Sequence, residues 1–128
     1  MLSETDYRTY VTGYPTGVVY AVENPDTGDQ FDFAGIADGE LVYTVASLYD
    51  AVQPDGSLLT ETAELYLGLA ALQMKAAAGT TVLWACQFQS DADALARLLS
   101  EYDEALRAAA PLAAIDVRAV PVVEDVNQ

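Results

Sequence analysis

Apolar and polar positions along this chain keep two rhythms, one near 3.6 residues and one near 2, and the change from one to the other marks the elements. Ser3, with Glu4 and Asp6 behind it, opens a short helix whose apolar side is Tyr7, Tyr10 and Val11 and which Gly13 and Pro15 end. Val18-Val19-Tyr20-Ala21-Val22 and Gln30-Phe31-Asp32-Phe33 flank Asn24-Pro25-Asp26-Thr27-Gly28, a run of turn formers. That arrangement predicts a β-hairpin. Leu41, Val45, Leu48 and Val52 recur at i, i+4, i+7 and i+11 behind Asp38, which predicts a further helix, although its Val and Thr content weakens the helical preference.

Pro54-Asp55-Gly56 breaks the pattern, and Thr60, Glu61 and Glu64 open a longer helix that runs to Ala78 and stops at Gly79. Leu65, Leu69, Leu72 and Ala76 are its expected buried stripe, with Gly68, Ala70, Ala71, Ala77 and Ala78 as small flanking residues that let a neighbouring backbone come close. Residues 80–88 favour a strand with Val82, Trp84, Cys86 and Phe88 on one face. Ser90, followed by Asp91 and Asp93, is the expected cap of the next helix, with Leu95, Leu98, Leu99, Tyr102 and Leu106 inward, an Asp103–Arg107 pair one turn apart, and Pro111 as the stop. Beyond it, Ile115 to Val123 alternates and then turns wholly apolar around Pro121, which suits an edge strand or an extended arm.

The expected fold class is therefore α+β and predominantly α-helical: a small helical bundle with a β-hairpin near the N-terminus and short strands near 81–88 and 115–123. Residues 1–111 read as one compact domain, and 112–128 as an extended C-terminal arm. An apolar arm of this kind either joins the domain's own sheet or adds to another subunit. Its Ile115, Val117, Val120, Pro121, Val122 and Val123 are candidate protein-interface residues, as are Tyr7, Tyr10 and Tyr14, whose plainer role is packing beside the hairpin.

Charge changes the picture of where such a domain works. Twenty Asp and Glu against five Lys and Arg, with Lys75 the single lysine, give a formal charge of -15. In dilute salt, with a screening length of about 10 Å, that charge opposes compaction, whereas about 1 M salt shortens the length to about 3 Å. The acidic residues are scattered, and 52% of the chain is hydrophobic, so they form a solvated coat over an ordinary core rather than a disordered tail. A salt-loving source is expected. Specific nucleic-acid binding is not, because phosphates call for Lys and Arg. No apolar run is long enough for a bilayer, and the start lacks the basic and apolar run of a signal peptide.

Candidate chemistry is sparse. There is no histidine, and Cys86 is the one cysteine, which removes the usual general base, a zinc cluster and a thiol–imidazole pair. Cys86 reads as packing. Asp26, Asp29 and Asp32 cluster at the hairpin but lack the alternating ligands and closing Glu of an EF-hand loop. The Gly13-Tyr14-Pro15-Thr16-Gly17 stretch lacks the Lys-Ser or Lys-Thr of a phosphate loop. Neither catalysis, nor a metal, nor a cofactor is expected, and no catalytic residue is nominated.

The stretch from Leu65-Tyr66-Leu67-Gly68-Leu69-Ala70-Ala71-Leu72 through Ala110, with Ser90-Asp91-Ala92-Asp93-Ala94-Leu95 opening its second helix, resembles the helical head–tail connector (adaptor) proteins of tailed viruses over residues 58–110. The resemblance implies a ring-forming homo-oligomer, without catalytic residues, that joins the portal to neighbouring tail or connector proteins. With the acidic composition, it implies a virus of a halophilic archaeon, with the protein assembled in the host cytoplasm and located in the virion. The alternatives are another virion assembly component, such as a tail-completion, capsid-associated or turret protein, and a small halophilic cytoplasmic regulatory or ligand-binding domain.

Overall fold

The computed structural model describes residues 2–109 and 114–123. The elements in chain order are α1 (Glu4–Thr12), β1 (Tyr20–Glu23), β2 (Gln30–Phe33), β3 (Gly35–Ala37), β4 (Glu40–Val45), α2 (Thr60–Ala77), β5 (Val82–Cys86), α3 (Gln89–Glu101), α4 (Asp103–Ala109) and β6 (Ile115–Ala119). β1 and β2 form the expected antiparallel hairpin. The other four strands make one sheet in the order β3-β4-β5-β6, with β3 antiparallel to β4 and with β4, β5 and β6 parallel.

Among the described residues helix accounts for 39% and strand for 25%, in two sheets, so the predominantly helical bundle expected from the pattern is corrected to a mixed α+β domain organised around a sheet. The cause lies mainly at residues 38–45. Asp38 and Gly39 both have positive φ, 51° and 78°, the conformation of a two-residue hairpin turn. Asp38 turns β3 into β4 instead of capping a helix. The helical spacing of Leu41, Val45 and Leu48 is coincidental: Leu41 and Val45 lie on one side of a strand and Leu48 in the loop beyond it, and all three are buried in one cluster.

Parallel strands require crossovers, supplied by α2 and then by α3 with α4. β5 is buried at all five positions, as a central parallel strand covered on both faces should be. Val82, Trp84 and Cys86 face a core shared with Tyr66, Ala70 and Ala77 of α2 and Ala92, Leu95 and Leu98 of α3. Leu83 and Ala85 face the other side, where Tyr7 of α1 packs with Ala34 and Val42. Helices therefore cover both sheet faces, and the hairpin rests on α2, where Asn24 Nδ2 donates to the Lys75 carbonyl at 2.9 Å.

α2 ends close to the expected place, but its buried stripe is Tyr66, Ala70, Gln73, Met74, Ala76 and Ala77, while Leu65 is 59% and Leu72 40% exposed. Leu67 and Leu69 are partly buried beside that stripe, and among the larger Tyr66, Gln73 and Met74 it is the alanines that let the helix come close to the sheet. Trp84 fills the space they leave. Its indole N–H donates to Gln73 Oε1 at 2.7 Å, with Tyr43 and Tyr66 rings 5.9 and 5.6 Å from its own. Gln73 is fully buried, and its Nε2 has no partner among the described residues.

α3 begins without the expected cap: Phe88 occupies the N-cap position and Ser90 lies inside the first turn. Leu95 and Leu98 are buried as expected, whereas Tyr102 is 48% exposed. The Arg107–Asp103 pair forms at 2.9 Å. Pro111, expected to stop the helix, lies outside the described residues.

The segment expected to be an extended arm is, over residues 115–119, the edge strand of the central sheet, paired in parallel with β5 from Val82↔Ile115 to Cys86↔Ala119. Of the two places open to it, its own sheet is occupied, since Ile115, Val117 and Ala119 pack against the α2–α3 core. Pro121 falls just past the strand, where no ladder N–H is needed. Residues 112–113 and 124–128 of that segment lie outside the described residues.

Candidate functional site

Two surfaces carry features that the core does not explain. One is a crevice of about 530 Å³ at the carboxyl ends of β4 and β5, lined by Ser47, Tyr49, Val52, Phe88, Ser90 and Asp91. Ends of parallel strands are where chains leave the sheet and open space for ligands. Tyr49 is 86% exposed there. Asp91 is the one buried carboxylate among the described residues. Its Oδ2 accepts from the Leu48 N–H at 3.1 Å, tying the loop after β4 to the first turn of α3. Burial pushes the Asp91 carboxyl above its usual range, and the Leu48 hydrogen bond opposes that shift. Burial, reinforced by the nearby Asp91, also pushes the Cys86 thiol up to about 12, which leaves it a neutral core group.

Sequence reasoning placed Asp91 in the first turn of a helix and Phe88 on the apolar face of a strand, and gave no site role to either of them or to Ser47 and Tyr49. Reading β4 as helix hid the junction that brings them together. The available signal was Asp38-Gly39, a strong short-range mark of a hairpin.

The second surface is the sheet's two edges, which are unlike one another. At β3, the Tyr14 hydroxyl accepts from the outward N–H of Ile36 at 3.4 Å. A Cβ on Gly35 would stand 3.0 Å from Thr12 Cβ and 3.3 Å from the Tyr14 ring, so the end of α1 and the chain after it lie hard against that edge. At β6, the Val82 N–H donates to the Ala114 carbonyl and the Val120 N–H to the Cys86 carbonyl. In a parallel ladder this alternation turns Ala114, Asp116, Arg118 and Val120 toward β5, and turns the backbone groups of Ile115, Val117 and Ala119 outward. Those outward groups have no partner among the described residues.

The expected interface residues divide over three places. Tyr7 is buried and donates to the Val120 carbonyl at 2.6 Å, while Tyr10, stacked on it at 6.4 Å, donates to the Pro121 carbonyl at 3.3 Å and accepts from the Val123 N–H at 3.0 Å. Tyr7, Tyr10, Val120, Pro121, Val122 and Val123 thus meet on the α1 side of the sheet. Ile115 and Val117 face the opposite side, and Tyr14 stands at the far edge. Burial, foremost, raises the Tyr7 phenol well above its ordinary value.

Among the described residues no cluster of three metal-ligating side chains occurs, and no helix is long and apolar enough to cross a membrane. Asp29 instead accepts from Thr27 Oγ1 at 2.7 Å within the hairpin turn. Comparison with protein-family models, curated proteins and solved structures finds no match to this chain.

Proposed function

We propose that this protein is a structural assembly subunit of a halophilic virus particle, a head–tail connector or a neighbouring virion component, which works by surface contact rather than by transforming a substrate. The observation that carries the reading is the difference between the sheet edges: β3 is sealed by Tyr14, while β6 presents the outward backbone groups of Ile115, Val117 and Ala119. An open edge in a folded domain is a strand-addition surface. The helix–strand–helix run that suggested the connector family is retained in α2, β5 and α3, wrapped on a sheet rather than bundled. Exposed leucines on α2 add apolar area for contact. An acidic coat with a single buried carboxylate among the described residues suits molar salt.

Sedimentation of the purified chain in molar KCl over a concentration series, with electron microscopy of any assembly, tests the reading. Association with a closed symmetry is expected. A monomer at every concentration rejects it, and absence of the polypeptide from purified particles of a halophilic virus that encodes it rejects the virion setting.

The crevice favours a second reading, a ligand-binding domain in which Tyr49 and Phe88 hold a planar group and Ser90 and Asp91 give polar contacts. A thermal-shift screen at high salt would find such a ligand. Binding left intact by Phe88→Ala would reject this assignment of the crevice.

A further inference from the structure

We infer that the partner of β6 is β6 of a second copy, paired antiparallel about a two-fold axis through Val117; the inference rests on the assembly reading and specifies its first contact. Ile115, Val117 and Ala119 turn their backbone N–H and C=O away from β5. In an antiparallel pair, residues that exchange both hydrogen bonds sit directly opposite one another. Centred on Val117, the register sets Val117 against its own copy and Ile115 against Ala119, and every outward group of the three residues finds a partner.

Charge selects this register over its neighbours. Asp116 and Arg118 project from the other face of β6 and are about half exposed, and they already form an ion pair at 3.0 Å, with Glu40 on the far side of Arg118. Centring on Val117 sets each Asp116 opposite the Arg118 of the second copy. Sliding the axis to residue 116 sets Asp116 against itself, and sliding it to residue 118 sets Arg118 against itself, each a like-charge contact. The five-residue strand Ile-Asp-Val-Arg-Ala is therefore self-complementary in hydrogen bonding, apolar pairing and charge. β3 cannot serve, because Tyr14 already occupies its outward Ile36 N–H.

The ground beside β6 is compatible with a second copy. Ala96, Leu99 and Ser100 of α3 and Asp103 of α4, the latter paired with Arg107, line an open groove of about 430 Å³ together with Ile115, Asp116 and Val117. A two-fold axis normal to the sheet brings the two α3 helices alongside one another over this groove, where Ala96 and Ser100 are short enough to permit close approach. Each chain carries a charge of -15, so joining two copies requires screening, and association strengthens from dilute to molar salt even though the Asp–Arg pairs themselves weaken.

The test is sedimentation equilibrium of the full chain in molar KCl, with circular dichroism on every variant. The wild type is expected to form dimers or larger assemblies containing them. Val117→Pro removes the N–H at the axis and is expected to abolish the contact with the spectrum unchanged. Asp116→Arg, which needs no backbone change, is expected to weaken association roughly tenfold or more, because two symmetry-related pairs turn from opposite to like charge. Combining Asp116→Arg with Arg118→Asp restores opposite charges across the axis and is expected to recover most of the loss. Assembly that survives both Val117→Pro and Asp116→Arg overturns the β6 contact while leaving the assembly reading intact. A double variant no stronger than Asp116→Arg alone overturns the register, and a monomeric wild type overturns both proposals.

Discussion

The hydrogen bond from the Trp84 indole to Gln73 joins α2 to the central strand, and it supports a quantitative prediction. Both side chains have no solvent exposure, the contact is 2.7 Å, and the Gln73 amide nitrogen is buried without a partner among the described residues. Gln73→Leu strips the acceptor from a buried indole N–H, a loss of about 1–3 kcal/mol, but also removes an amide N–H2 already bearing a similar penalty. Its net cost is expected below about 2 kcal/mol. Trp84→Phe leaves both ends of the Gln73 amide without partners and also loses ring volume, so it costs more. In the double variant no polar group remains to be satisfied, and the sum of the single losses should exceed the double loss by about 1–3 kcal/mol. Urea unfolding in molar KCl, followed by far-ultraviolet circular dichroism, measures all three. Additivity within about 0.5 kcal/mol would refute the claim that this bond is a coupled unit in the core.

Three further outcomes follow from named contacts. Tyr7→Phe removes the hydroxyl held 2.6 Å from the Val120 carbonyl; it is expected to cost about 0.5–1.5 kcal/mol in urea unfolding, and a zero effect would mean that residues 120–123 do not dock on α1. Because burial raises the Tyr7 phenol, its contribution is intact below the ordinary value of 10.0 and is lost above it, so Tyr7→Phe should reduce the alkaline decline seen in the wild type. Gly35→Ala drives a methyl group to 3.0 Å from Thr12 and should cost about 1–3 kcal/mol by overpacking; an unchanged midpoint would show that α1 does not press on β3. Asp91 has a raised carboxyl value, so its favourable contribution is full below the ordinary 3.8 and is lost as pH rises through the folded value. Asp91→Asn keeps an acceptor for the Leu48 N–H without a buried charge, and thermal melts should find it more stable than the wild type at neutral pH, with a flatter pH profile; a less stable variant would contradict the burial argument.

Local chemistry determined several features in the sequence alone. The turn formers at 24–28 specify the β1–β2 hairpin, Pro54-Asp55-Gly56 separates β4 from α2, and Gly79 follows the end of α2. The apolar run Val82–Cys86 specifies a buried strand, and the Asp103–Arg107 pair follows from helical spacing. Composition likewise fixed an acidic coat over an apolar core. Each of these depends on neighbours within a few residues, where dihedral preference and side-chain spacing act directly.

Tertiary structure decided what those neighbours cannot encode. Leu41 and Val45 satisfy both a helical and a strand pattern, and the pairing of β4 with β3 and β5 selects the strand. On α2, whose faces are nearly all apolar, the sheet's close approach selects Ala70 and Gln73 for burial over Leu65 and Leu72. The crevice unites Tyr49 with Asp91, and the β6 edge exists because residues 115–119 cross over to lie beside β5. These are contacts between residues distant along the chain, whose free energy appears only once the elements are assembled, and so no local periodicity records them.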